Sequence, residues 1–189
     1  PIAIFIIIIF LAATVVLGVG YFTSPNEQHQ NNNISQQTSD NAQAESQQQN
    51  DLQSAINKYK QRLVDNPQDV KAMINLGNLY YDQQNYKTAI KYYESSLKFK
   101  PENIEVMVDM GTCYYYKQNS NPKKAIRWYN EALKIKPNFK QALFNKGVVL
   151  QHGLQNYQQA RKIWNDFLKQ YPNSHLANKA EQFLNKMKN

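Results

Sequence analysis

Three histidines and one cysteine are the side chains of this 189-residue chain best suited to ligate a metal or to act as base and nucleophile. Their spacing supports neither role. His29 lies in a polar tract, His152 stands alone near a turn, and His175 opens the last helical stretch. No HExxH pair, phosphate-cradling glycine loop or Ser/His/Asp signature occurs. Cys113 has no second cysteine, which excludes an intrachain disulfide and a cysteine cluster for zinc. The expectation is a protein without catalysis, cofactor or metal. What remains for function is contact chemistry, because tyrosine and other aromatic side chains dominate binding hot spots. The next question is which elements place those rings.

Charge and apolar residues divide the chain into three parts. Residues 2–22, IAIFIIIIFLAATVVLGVGYF, carry no charge. As a helix they would span roughly 30 Å at 1.5 Å per residue, the thickness of a bilayer core. A cleavable signal peptide has a shorter apolar core, about 7–15 residues, and Gly18-Val19-Gly20 is a weak cleavage candidate. We therefore expect residues 1–22 to be an uncleaved transmembrane anchor. Residues 23–50 are mostly Gln, Asn and Ser, with one aliphatic side chain past Phe22 and no further aromatic, and read as a disordered spacer. Positions 42–50 are compatible with an extension of the helix that follows.

All 22 lysines and arginines, and 11 of the 14 acids, lie after residue 50, so that part carries a formal +11. No Lys or Arg follows the apolar segment before Leu52. Positive charge flanks the cytoplasmic end of a membrane helix, so the C-terminal part is expected outside the cytoplasm, in a periplasm or at the cell surface. The basic balance carries no nucleic-acid signature, and no nucleic-acid partner is expected.

Beyond residue 50 four series recur with steps near 34. They are Ala55, Ala89, Ala125, Ala160; Tyr59, Tyr93, Tyr129, Trp164; Pro67, Pro101, Pro137, Pro172; and Gly77, Gly111, Gly147. The steps are 34, then 36, then 35 for the first three series, and 34 and 36 for glycine. Glycine costs about 1 kcal/mol against alanine inside a helix. Gly77 beside Ala89 is explained if two helices approach closely there, with Tyr80 and Tyr93 filling the remaining space. Pro101 stops the second helix of its pair, and Asn85 marks the turn within the pair.

This pattern resembles the tetratricopeptide repeat (TPR), a 34-residue pair of antiparallel helices. One unit reads Met73, Leu76, Gly77, Tyr80, Ala89, Tyr93, Ser96, Pro101; the next reads Met107, Met110, Gly111, Tyr114, Ala125, Tyr129, Ala132, Pro137. The last reads Leu143, Lys146, Gly147, Leu150, Ala160, Trp164, Phe167, Pro172, departing at Lys146 and Phe167. The resemblance implies an all-α, right-handed solenoid with repeats at 67–100, 101–136 and 137–171. A lone leading helix is expected over 51–66, from Ala55, Ile56, Tyr59 and Leu63. A capping helix is expected within 172–189, with Ser174 as N-cap and Ala177, Ala180, Leu184 and Met187 on its apolar face. Cys113 is expected in the core. Two extra residues in KQNSNPKKA and one in HGLQNYQQA are expected to lie in loops.

The resemblance also places a partner-binding groove on the concave side, at set positions of each first helix. These are Lys71, Ile74, Asn78, Tyr81 and Asp82; Glu105, Val108, Thr112, Tyr115 and Tyr116; and Gln141, Phe144, Val148, Gln151 and His152. Such a lining suits a peptide or helix with apolar anchors. The carboxylate clamp of some TPRs is disfavoured, because Ile74 stands where a lysine would. The chain as a whole is read as a membrane-anchored adaptor for a protein or peptide partner. It is similar in architecture to the bacterial anchored TPR modules of cytochrome c maturation, which hold apocytochrome. Two other readings stay open. Lys87, Lys91, Lys98, Lys123, Lys124, Arg127 and Lys134 fall on second helices, a convex basic side suited to an anionic envelope polymer or lipid head groups. The leading helix also offers a docking edge for another copy, giving a homo-oligomeric scaffold.

Overall fold

The computed structural model describes residues 31–187, with side chains from Ser46 onward. The expected anchor, 2–22, lies outside the described residues, and no described helix is long and apolar enough to cross a membrane. From Gln48 onward the described residues form one compact unit.

The described chain is all helix: α1 (Asn31–Asp65), α2 (Val70–Asp82), α3 (Tyr86–Phe99), α4 (Ile104–Tyr116), α5 (Pro122–Ile135), α6 (Lys140–Val148), α7 (Tyr157–Gln170) and α8 (Ala177–Lys186). Pairs α2/α3, α4/α5 and α6/α7 are the three repeats. The proline series falls in the tight turns between them, where a missing N–H and a fixed φ do no harm. Side-chain caps then restart α2, α3, α4, α5 and α7, while α6 starts after Phe139 without one. Asp69, Asn85, Asn103, Asn121 and Asn156 each accept from the backbone N–H three residues on.

Within each pair a glycine admits an aromatic ring. A Cβ on Gly77 would stand 2.4 Å from Tyr93, one on Gly111 2.5 Å from Tyr129, and one on Gly147 2.6 Å from Trp164. Those three rings are almost wholly buried, as are Ala89, Ala125 and Ala160 one turn before them. Tyr80 stacks on Tyr92, with centroids 5.6 Å apart, and Tyr114 donates from its hydroxyl to Glu94 on α3. Phe167, where the pattern is usually small, is fully buried against Phe144. The small residue moves to the neighbour: Ala180 of α8 belongs to the same buried cluster. Lys146 keeps its stem half-buried, and burial together with Lys162 lowers its pKa.

Three expectations change. First, α1 begins at Asn31 rather than near 51, so helix covers much of the expected spacer. Between Asn31 and Asp65 there is no proline or glycine to interrupt it. The expected leading helix is the end of α1, with Ile56 buried and Ala55, Tyr59 and Leu63 half-buried. Second, Ser174 does not cap the last helix. Tyr171 to Leu176 form turns, His175 among them, α8 starts at Ala177 without a side-chain cap, and the Ser174 hydroxyl is buried without a partner.

Third, the one-residue insertion of the last repeat is not in a loop. After α6 the helix continues as a π-helical turn, Val149–Gly153, which takes up one extra residue inside the helix. The following connection, residues 154–156, is as short as residues 83–85 of the first repeat. The two-residue insertion does lengthen its loop, residues 117–121. Each connection turns through one left-handed residue, Gln84, Asn119 or Gln155.

Candidate partner-binding groove

The first helices α2, α4 and α6 carry the positions predicted to line a groove, and the structure divides them in two. Lys71, Asn78, Asp82, Glu105, Tyr116, Gln141 and His152 are exposed; Ile74, Tyr81, Tyr115 and Val148 are half-buried. Val108, Thr112, Phe144 and Gln151 are buried and belong to the packing instead. Val108 shares its cluster with Ala142 of α6, and Phe144 meets Phe183 of α8. At this position the next first helix in the array closes over the side chain.

Three of the polar residues at or beside these positions, Asn78, Thr112 and Gln151, have another task. Tyr93, Tyr129 and Trp164, the buried rings seated on the glycines, each carry one polar atom, and a buried donor without an acceptor is costly. Tyr93 donates to Asn78 Oδ1 at 2.8 Å. The Tyr129 hydroxyl lies 3.2 Å from Thr112 Oγ1, and burial raises its pKa. Trp164 Nε1 donates to Gln151 Oε1 at 2.9 Å. Asn78 and Thr112 hold equivalent positions; the equivalent in the last repeat is Val148, which cannot accept. Gln151, one turn later in the π-helical segment, accepts instead. Thr112 also donates to Val108 O at 3.0 Å and receives Asn145 Nδ2 at 3.3 Å.

A belt of tyrosines runs along the ends of the first helices α2 and α4, joined by Tyr86 at the start of α3. Tyr81 meets Tyr86 edge-on with centroids 5.6 Å apart, Tyr86 meets Tyr116 at 6.2 Å, and Tyr116 meets Tyr115 at 4.8 Å. Tyr115 is also fixed from behind: a Cβ on Gly153 would come within 2.9 Å of its ring. Tyr116 is 57 % exposed, although it is a large aromatic on a helix otherwise committed to the core.

Next to this belt sits Asp109, which the sequence reading missed. Burial, then the charges of Glu105 and Asp82, push its carboxyl up to about 6. Burial, and after it the Asp109 charge, raises Tyr81, Tyr93 and Cys113 in turn. The same register position holds Asn75 and Asn145 in the other repeats. Those amides are hydrogen-bonded, to Lys71 O and to Thr112, whereas the Asp109 carboxylate makes no hydrogen bond or ion pair among the described residues. The signal was present: Asp109 is a lone charge between Val108 and Met110, both buried.

The groups with reaction chemistry stay apart. The Cys113 thiol is buried and pushed up to about 12, mainly by burial, so it is not a thiolate at neutral pH. His152 lies edge-on to Phe183 at 5.3 Å, and burial and Lys186 lower its pKa. No group of His, Cys, Asp and Glu suited to a metal occurs among the described residues.

Repeated helix pairs, each locked by a glycine against a buried ring, define a TPR-like solenoid. Solved structures agree with that class. A TPR protein from Parabacteroides merdae matches at TM-score 0.65 and 26 % identity, over 75 % of this chain and 55 % of that one. MamA matches at TM-score 0.60 and 17 % identity, over 75 % and 90 %. The first TPR of Spaghetti (RPAP3), bound to the HSP90 peptide SRMEEVD, matches at 0.56 and 21 %, over 65 % and 95 %. No curated protein matches the chain. Residues 25–177 match the family described as cytochrome c-type biogenesis protein H TPR domain, and the chain belongs to that family.

Proposed function

We propose that this protein is an adaptor that holds a partner polypeptide on the tyrosine-lined face of its first helices, in the service of cytochrome c biogenesis. The observation that carries the reading is the belt Tyr81–Tyr86–Tyr116–Tyr115, a continuous row of rings in which the exposed Tyr116 stands among three half-buried neighbours. Aromatic anchors of this kind dominate binding hot spots. Family membership supports the pathway and favours an apocytochrome as the partner. In this reading residues 2–22 anchor the chain in a membrane with the repeats outside the cytoplasm. Three repeats engage only a short element, and tethering raises its effective concentration.

The SRMEEVD peptide of the structural neighbour is acidic, and this face offers it little. Ile74 provides no cation, and Asn78 is already an acceptor for Tyr93. An occupant of different chemistry is required.

The test is chemical cross-linking of the full chain in intact membranes, with captured proteins identified by mass spectrometry beside a Tyr81→Ala/Tyr116→Ala variant. Capture of a c-type apocytochrome or another component of its assembly, lost in the variant, is the expected result. Equal capture by both forms removes the tyrosine face as the binding surface.

A further inference from the structure

The exposed charges of the repeats are unevenly shared: α3 and α5 carry the exposed acids Glu94 and Glu131 among more numerous cations, and α2 carries one exposed lysine, Lys71. The second helices α3 and α5 present Lys87, Lys91, Lys98, Lys123, Lys124 and Arg127, all exposed. The tyrosine face, in a chain of formal charge +8, carries Asp82, Glu105 and Asp109 instead. None of these three carboxylates makes a hydrogen bond or an ion pair among the described residues. They come from α2 and α4, the helices that also carry Tyr81 and Tyr116. Asp109 lies close enough to Tyr81 for its charge to act on that phenol.

We propose that the tyrosine face of α2 and α4 receives a cationic segment of the partner, its lysines or arginines set against Tyr81, Tyr86 and Tyr116 and paired with Asp109, Asp82 and Glu105. The proposal rests on the adaptor reading above and adds the chemistry of the occupant. Charge complementarity selects it. A cation near aromatic faces is attracted by their quadrupoles, more strongly when water is excluded. A half-buried carboxylate without a counter-charge is unfavourable, and an arriving cation relieves that cost. Asp109 is in that state: burial, Glu105 and Asp82 all oppose its ionisation, and the groups facing it from α2 and α3 are Asp82, Tyr81 and Tyr93, with Cys113 on its own helix. No cation offsets them. The amide-bearing equivalents Asn75 and Asn145 show that the scaffold does not require a charge at this position. An anionic segment meets repulsion here and is directed to the basic second helices.

The test is titration of the purified full chain in neutral detergent with two amphipathic peptides of one apolar pattern, one of leucine and lysine and the other of leucine and glutamate, with heats into protein-free micelles subtracted. The lysine peptide is expected to bind about tenfold more tightly than the glutamate peptide. Asp109→Asn is expected to weaken the lysine peptide about fivefold or more, while Glu131→Gln, an exposed acid on α5, leaves it unchanged. Equal losses in these two variants reduce the effect to general attraction and overturn the proposal. Equal affinity for both peptides, each lost in Tyr81→Ala/Tyr116→Ala, overturns the cationic occupant and leaves the groove reading standing. Tighter binding of the glutamate peptide overturns it in favour of the basic side. If neither peptide binds, both readings fall.

Discussion

Gly77 and Tyr93 are in contact so close that the glycine has no room for a methyl group; a Cβ there would lie 2.4 Å from ring carbon Cε1. Helix propensity alone favours Gly77→Ala by about 1 kcal/mol. Overpacking against a ring that is 1 % exposed opposes it by about 1–3 kcal/mol. The second term wins, and Gly77→Ala is expected to lower stability in urea unfolding. Pairing it with Tyr93→Leu should recover part of the loss, a coupling that a double-mutant cycle measures.

Gln151 and His152 are neighbours with opposite duties. Gln151→Leu leaves the buried Trp164 N–H without its acceptor and is expected to cost about 1–3 kcal/mol. His152→Ala, at an exposed site, is expected to stay within about 0.5 kcal/mol apart from its ring contact with Phe183. Thermal unfolding of the two variants side by side checks the contrast.

Asp109 makes stability depend on pH. Its carboxyl titrates at about 6 in the folded chain against a usual 3.8, so the folded state holds its proton more tightly. Stability is then greatest below about pH 4 and falls as pH rises through 6, as far as this group is concerned. Asp109→Asn is expected to flatten that fall and to be the more stable form at pH 7, by at most about 2–3 kcal/mol. Unfolding midpoints at pH 4.5 and pH 7.5, taken for both forms, give the sign; a larger fall in the variant contradicts it. The tests at about pH 4.5 and 7.5 bracket the titration.

Cys113 should behave as a structural side chain. Its burial and raised pKa predict negligible alkylation in the native chain at pH 7.5 and rapid alkylation in denaturant. Mass spectrometry after a thiol-reagent pulse reads the difference, and fast native labelling would show that α4 opens readily.

Tyr116 should matter to binding and not to folding. Tyr116→Ala removes a ring that is mostly in solvent, and its effect on the unfolding midpoint is expected to be within about 0.5 kcal/mol. A large loss of stability would place the ring in the packing and remove it from the binding face.

The repeat was legible because its determinants are local and recur. Glycine, aromatic and proline each satisfy one steric demand at one register position, so Gly77, Tyr93 and Pro101 announce the helix pair without further context. The groove was legible only in part. Val108 and Phe144 face the right way, yet whether they are open depends on α6 and α8, which the sequence of one unit does not reveal. The inserted residue of the last repeat is equally compatible with a loop or a π-helical turn; the need of Trp164 for an acceptor is met by the second. Asp109 went unread because a single carboxylate is ordinarily solvated, and its isolation emerges only with Asp82 and Glu105 placed beside it.

The hydroxyl of Thr112 joins three helices at one atom: it donates to its own helix α4, meets Tyr129 of α5 and receives Asn145 of α6. Stacked repeats behave as a chain of units coupled to their nearest neighbours, and this atom strengthens one link in that chain. Fraying that starts at α8 should therefore proceed through α7 and stall at α6, where Asn145 reaches the Thr112 junction. Slow amide exchange across α4 and α5, beside faster exchange in α8, would mark the middle repeat as the segment that holds its shape while the ends of the array breathe.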